Sequence, residues 1–158
     1  MPIMTAGRML HYAALLTCGF GVVVALAAHP VSVAPANFLA DLAFWPVDGK
    51  QAVDSDSARL LAAIAGGIMV GFGVALGMLA KNVLPKHPHL AAHIISASIL
   101  SWFAVDSLGS LAAGSYLNVL SNMALAALFL VPAFMISRAS APPATMPAGQ
   151  SRSRQATE

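Results

Sequence analysis

At 158 residues with 58% hydrophobic and only 9% charged residues, and a mean hydropathy of +0.77, the chain is far too apolar for a water-soluble domain, in which about a quarter of residues are charged. Its formal charge of +2 comes from basic residues scattered over helix ends and the tail, with neither the basic patch nor the interleaved aromatics that nucleic-acid binding needs, so that class is excluded. Cys18 is the only cysteine, which excludes an intramolecular disulfide and a CxxC redox pair.

Four apolar stretches, 9–28, 59–80, 90–113 and 116–136, each reach about the 20 residues with which an α-helix crosses roughly 30 Å of hydrocarbon. Helix is the expected form because unpaired backbone groups are costly in lipid, and the alternating pattern of a membrane barrel is absent. The expectation is an all-α integral membrane bundle of four transmembrane helices, one domain over 1–138, followed by a disordered tail over 139–158 that has almost nothing to bury.

The first stretch carries Cys18 as a small packing residue. Arg8, the apolar run and Ala25-Leu26-Ala27 also fit a cleavable signal peptide. The run is long for the apolar core of a signal peptide, which favours a retained helix. Between the first two spans, Pro30, Pro35 and Pro46 interrupt any continuous helix. The segment from Asn37 through Phe38, Leu39, Leu42, Phe44 and Trp45 fits a short element lying in the membrane interface, anchored by aromatics at headgroup depth. A lid over an opening is the alternative. Asp56 or Ser57 is expected to cap the second span, with Arg59 reaching outward.

Small residues dominate the second span. At 100° per residue, Ala63, Gly67, Gly71 and Ala75 share one sector, and Gly66, Gly73 and Gly77 gather on another. Two smooth faces imply two close helical neighbours within the bundle, or one such face used in a homodimer. His87, His89 and His93 stand at the cytoplasmic start of the third span. His89 and His93 are spaced to share a metal, but Pro85 and Pro88 interrupt the helix and no carboxylate is near in sequence, so a solvated basic loop is the expectation. His11 lies at a depth similar to His93, which makes a bis-His haem conceivable but poorly placed at helix ends.

The last two spans form a hairpin about Gly114-Ser115-Tyr116. Asp106, the only carboxylate in a predicted span, is costly in hydrocarbon unless it is protonated or partnered. Taking Gly114 as pivot, Asp106 and Asn122 stand at equal depth, as do Ser110 and Asn118. Each helix presents its pair at i and i+4, so two polar stripes face each other. The depth of Asp106 is roughly 12 Å below the helix end at 1.5 Å per residue. This cluster reads either as an interhelical hydrogen-bond clamp or as a proton- or ion-coupled site.

Arg8, Lys81, Lys86, Arg138, Arg152 and Arg154 fall on one side of the four spans, and Lys50 and Arg59 on the other. By the positive-inside rule the amino terminus and tail are cytoplasmic. Phosphate loops, GxSxG and HExxH are absent, so the chain is expected to be non-enzymatic and to need no cofactor. Its partners are expected to be the bilayer and a second copy or another membrane protein.

Three segments resemble a family of small bacterial four-helix inner-membrane proteins of unknown function: Phe44-Trp45-Pro46-Val47-Asp48-Gly49, Arg59 through Gly67, and Trp102 through Ser110 continuing to Asn118 and Asn122. The resemblance covers roughly residues 10–136. It implies the four-helix architecture and an inner-membrane location and draws attention to Asp106, without implying a substrate. Similar groups are sometimes labelled as an excision-repair ATPase (excinuclease) subunit, a label this sequence contradicts because it has neither a nucleotide-binding loop nor zinc cysteines. The functional expectation is an accessory or assembly partner of a membrane complex, with a small proton-coupled carrier using Asp106 as the alternative.

Overall fold

The computed structural model describes residues 2–139; the tail expected to be disordered lies almost wholly outside them. Five α-helices follow in order: α1 Pro2–Ala25, α2 Ala34–Phe44, α3 Asp56–Met78, α4 Pro88–Ala112 and α5 Tyr116–Ala139. Short 3-10 turns at Leu26–Ala28 and Pro30–Ser32 link α1 to α2, and a π-helical turn, Leu79–Val83, extends α3. Four of the helical stretches are long and apolar enough to cross a membrane. At 11 residues, α2 is only about 16 Å long and too short to do so.

The boundaries reflect local chemistry. Pro35 fills the first turn of α2, where its missing N–H costs nothing. The cap of α3 is Ser55, one residue earlier than expected: its hydroxyl accepts from the Ala58 N–H at 3.1 Å, so neither Asp56 nor Ser57 takes that role. The α4–α5 turn is a Schellman closure. The Ser115 N–H donates to the Ser110 carbonyl at 2.8 Å and that of Gly114 to Leu111 at 3.0 Å, with Gly114 at φ +77°, where a side chain would be strained.

Across the bundle the spanning helices are ordered α3, α1, α5, α4. Helix α1 is therefore central, packed on α3 to one side and α5 to the other, and α4 touches chiefly α5 and the π-helical extension of α3. The most tightly closed packing lies at one end, where Leu10, Ile95, Ile99, Phe129 and Ile136 are almost fully buried. Outward-facing positions are equally apolar: Leu16, Leu61, Ile68, Val105, Leu108 and Phe134 are each more than half exposed. A surface of that kind, on helices of membrane-spanning length, is matched to lipid rather than water. The hydroxyls of Thr17, Ser121 and Ser137 donate to carbonyls four residues back on their own helices, which removes unpaired donors from the apolar surroundings.

The small-residue pattern of α3 is used on one face only. Ala25 stands opposite Gly66, Cys18 opposite Gly73 and Ala14 opposite Gly77, so α1 and α3 run antiparallel in close contact. A Cβ at Gly66 would overlap the Ala25 nitrogen and the Gly21 carbonyl oxygen, and one at Gly73 would lie 2.6 Å from the Cys18 Sγ. A Cβ at Gly67 or Gly71, in contrast, would meet nothing within 4 Å, and both glycines are exposed at the bundle surface. Among the described residues α3 has no second close spanning neighbour, because it sits at the edge of the bundle with α1 as its one close spanning partner.

Candidate functional site

The α4–α5 hairpin brings Asp106, Ser110, Asn118 and Asn122 together. Because the turn fixes the two helices in register, polar side chains at matching distances from it meet across the interface. Asn122 Nδ2 donates to Asp106 Oδ1 at 2.7 Å, and Asn118 Nδ2 donates to Ser110 Oγ at 2.8 Å and to Asp106 Oδ1 at 3.2 Å. Ser110 Oγ adds a further bond to Asp106 Oδ1 at 3.3 Å. Ser107 joins from the next position on α4, accepting from Asn122 at 3.5 Å.

Three donors thus converge on Oδ1, and none of these bonds uses Oδ2. Asp106 is half-buried, while Ser107, Ser110 and Asn122 are buried. Helix α4 ends at Ala112, two residues before the Gly114 pivot, so Asp106 is about 9 Å from the helix end rather than 12 Å. A shallow depression opens onto the cluster, lined by Asp106, Ser110 and Asn118 and by Ala43 and Phe44 of α2.

Helix α2 packs over this end of the hairpin against α5, and Ser115 Oγ donates to the Ala43 carbonyl at 2.9 Å. Its own polar stripe organises the loop that follows. Asn37 Oδ1 accepts from the Val53 N–H and Asp41 Oδ2 from the Gly49 N–H, both at 2.8 Å. Asp41 is only 4% exposed, and its place in this stripe was missed in the sequence. The signal was present: Asn37 and Asp41 are i and i+4 on an otherwise apolar helix, followed by an Asp48-Gly49 turn. In that turn Lys50 Nζ lies 2.6 Å from Asp48 Oδ2; the bond holds the Asp48 carboxyl below, and the Lys50 ammonium above, their ordinary values.

The histidines do not assemble. His87 occupies the N-cap position of α4, and His89 and His93 lie on its first two turns, but no three His, Cys, Asp or Glu side chains converge on a metal-sized site among the described residues. His11 instead lines a groove with Arg8 and Lys81 at the end of the bundle opposite α2. Arg59 does not extend freely outward: its side chain is 29% exposed and lies 3.9 Å from Asp56.

No protein-family model, curated protein or solved structure matches the chain.

Proposed function

We propose that the protein is a non-enzymatic, multi-pass component of a bacterial inner membrane, with both termini cytoplasmic, that serves as an accessory or assembly partner of a membrane complex. The observation that carries this reading is the unequal use of α3. Its Gly66, Gly73 and Gly77 face is filled by α1, whereas Gly67 and Gly71 present an equally smooth strip to the outside. In lipid, close approach of small residues drives helix association, so an open strip of this kind suits a helix from another chain. The polar ladder supports the same reading, since its donors are spent on Asp106 and hold α4 against α5.

A photo-crosslinking residue at Ile68, between the two glycines and 66% exposed, tests the proposal in native membranes. A discrete cross-linked protein species is expected there and not from Val105 on α4. Lipid adducts alone at both positions would overturn it.

One observation favours a proton-coupled carrier: Asp106 keeps Oδ2 outside its hydrogen bonds and lines an opening. On that reading Asp106→Asn abolishes proton-coupled uptake in liposomes while the protein still accumulates; on the accessory reading it leaves the Ile68 cross-link intact.

A further inference from the structure

A groove of about 700 Å³ runs between the start of α1 and the π-helical turn of α3, at the end of the bundle far from α2. Its floor is apolar, formed by Ala80 and Leu84, which are 7% and 3% exposed. Gly7 keeps it open: a Cβ there would sit 3.2 Å from Leu84 Cδ2. Ile3 and Met4 line the groove as well. Arg8 contributes from α1 and Lys81 from the π-helical turn, with His11 one helical turn beyond Arg8.

Arg8 and Lys81 have no carboxylate within ion-pair distance among the described residues. The described acids are Asp41, Asp48, Asp54 and Asp56, all between α1 and the first turn of α3, and Asp106, which is committed to the α4–α5 ladder. Among the described residues, charge at this end is therefore of one sign. A cleft with an apolar floor and cations from two helices matches an amphiphile with an anionic head, since basic pockets between transmembrane helices suit acidic headgroups.

We propose that this groove binds an acidic phospholipid, its phosphate held between Arg8 and Lys81 beside Ile3, Met4 and Leu84, and its acyl chains running from there past Ala80 toward the bilayer interior. The apolar floor distinguishes this occupant from free phosphate, which gains nothing from Leu84 or Ala80. The shortage of acidic side chains distinguishes it from a zwitterionic lipid, whose ammonium has no carboxylate to meet at this end among the described residues.

Native mass spectrometry of the full-length protein, extracted in mild detergent and exposed to phosphatidylglycerol or phosphatidylcholine, tests the assignment. Retention of one phosphatidylglycerol in preference to phosphatidylcholine is expected. Lys81→Gln should weaken it by about fivefold, and Arg8→Gln with Lys81→Gln by roughly 25-fold, from the usual strength of one basic residue near an anionic lipid surface. Lys81→Arg should retain it, and Lys86→Gln, outside the groove, should not change it. Equal retention of the two lipids, or undiminished phosphatidylglycerol binding in the double variant, would overturn the proposal. Displacement of the lipid by millimolar inorganic phosphate would do so too, by identifying a simple anion site.

Discussion

Replacing Gly73 by alanine inserts a methyl into a tight part of the α1–α3 contact, 2.6 Å from Cys18 Sγ, 2.9 Å from the Ala14 carbonyl oxygen and 3.1 Å from the Cys18 nitrogen. Comfortable contacts between such atoms are about 3.5–4.0 Å. The Cys18 side chain can rotate away, but Ala14 O and Cys18 N belong to the backbone of α1, so the helices must separate by roughly 0.5–1 Å along this stretch. Overpacking of this kind costs about 1–3 kcal/mol. Gly71→Ala, two residues earlier on the same helix, meets nothing within 4 Å. Both changes alter intrinsic helix propensity alike, so their difference isolates the packing. Reversible SDS denaturation in mixed micelles, followed by far-UV circular dichroism, should show Gly73→Ala less stable than Gly71→Ala by about 1–3 kcal/mol. Adding Cys18→Ala should recover part of the loss by removing the nearest clash. Stabilities that agree within about 0.5 kcal/mol would refute the antiparallel Gly73–Cys18 contact.

A double-mutant cycle between Asp106→Ala and Asn122→Ala should give a coupling near 0.6 kcal/mol and no more than about 1.7 kcal/mol, the range for interhelical hydrogen bonds in lipid; zero coupling would remove the 2.7 Å bond from the account. Ser115→Ala should release the end of α2, seen as faster amide hydrogen exchange over residues 40–44 with the α4 and α5 amides unchanged. The Asp48–Lys50 pair is exposed, so its titration should register locally rather than in global stability. With the Asp48 pKa depressed and the Lys50 pKa raised, the pair persists across neutral pH. It is lost in acid as Asp48 protonates below its ordinary 3.8, and in base as Lys50 deprotonates above its ordinary 10.5. NMR titration of the Asp48 carboxyl carbon with a midpoint at or above the ordinary value would contradict this.

The parts of the site governed by short-range geometry were legible from the chain. One glycine-centred turn sets the depth of every residue in the following hairpin, so the facing of Asp106 with Asn122 and of Ser110 with Asn118 follows from counting. The parts that depend on tertiary placement were not. The Ser115 hydroxyl reaches Ala43 across 72 residues, and nothing in either local pattern links them. The two smooth faces of α3 were visible, but which one meets a neighbour depends on helix order. The complementary stripe on α1, Ala14, Cys18, Gly21 and Ala25, would have decided it, because its small residues recur at the spacing of one helix face. The groove at Arg8 and Lys81 was hidden for a different reason. Its basic residues read as topology signals, and their convergence depends on a π-helical turn, in which the Leu84 N–H donates to the Leu79 carbonyl at 2.9 Å, that leaves little trace in residue type.

The central position of α1 also bears on how the protein is made. Synthesis delivers α1 first, and α3 can pair with it early. The other flank of α1 is closed by α5, which follows the other described helices in the chain. Until α5 emerges that flank must be tolerated by lipid or shielded by the insertion machinery. The packing is that of two helix pairs, α1 with α3 and α4 with α5, joined along the α1–α5 seam. A lesion at that seam would act late, leaving fully inserted halves that fail to dock, and its product would be a membrane-resident chain open to quality control rather than a soluble aggregate.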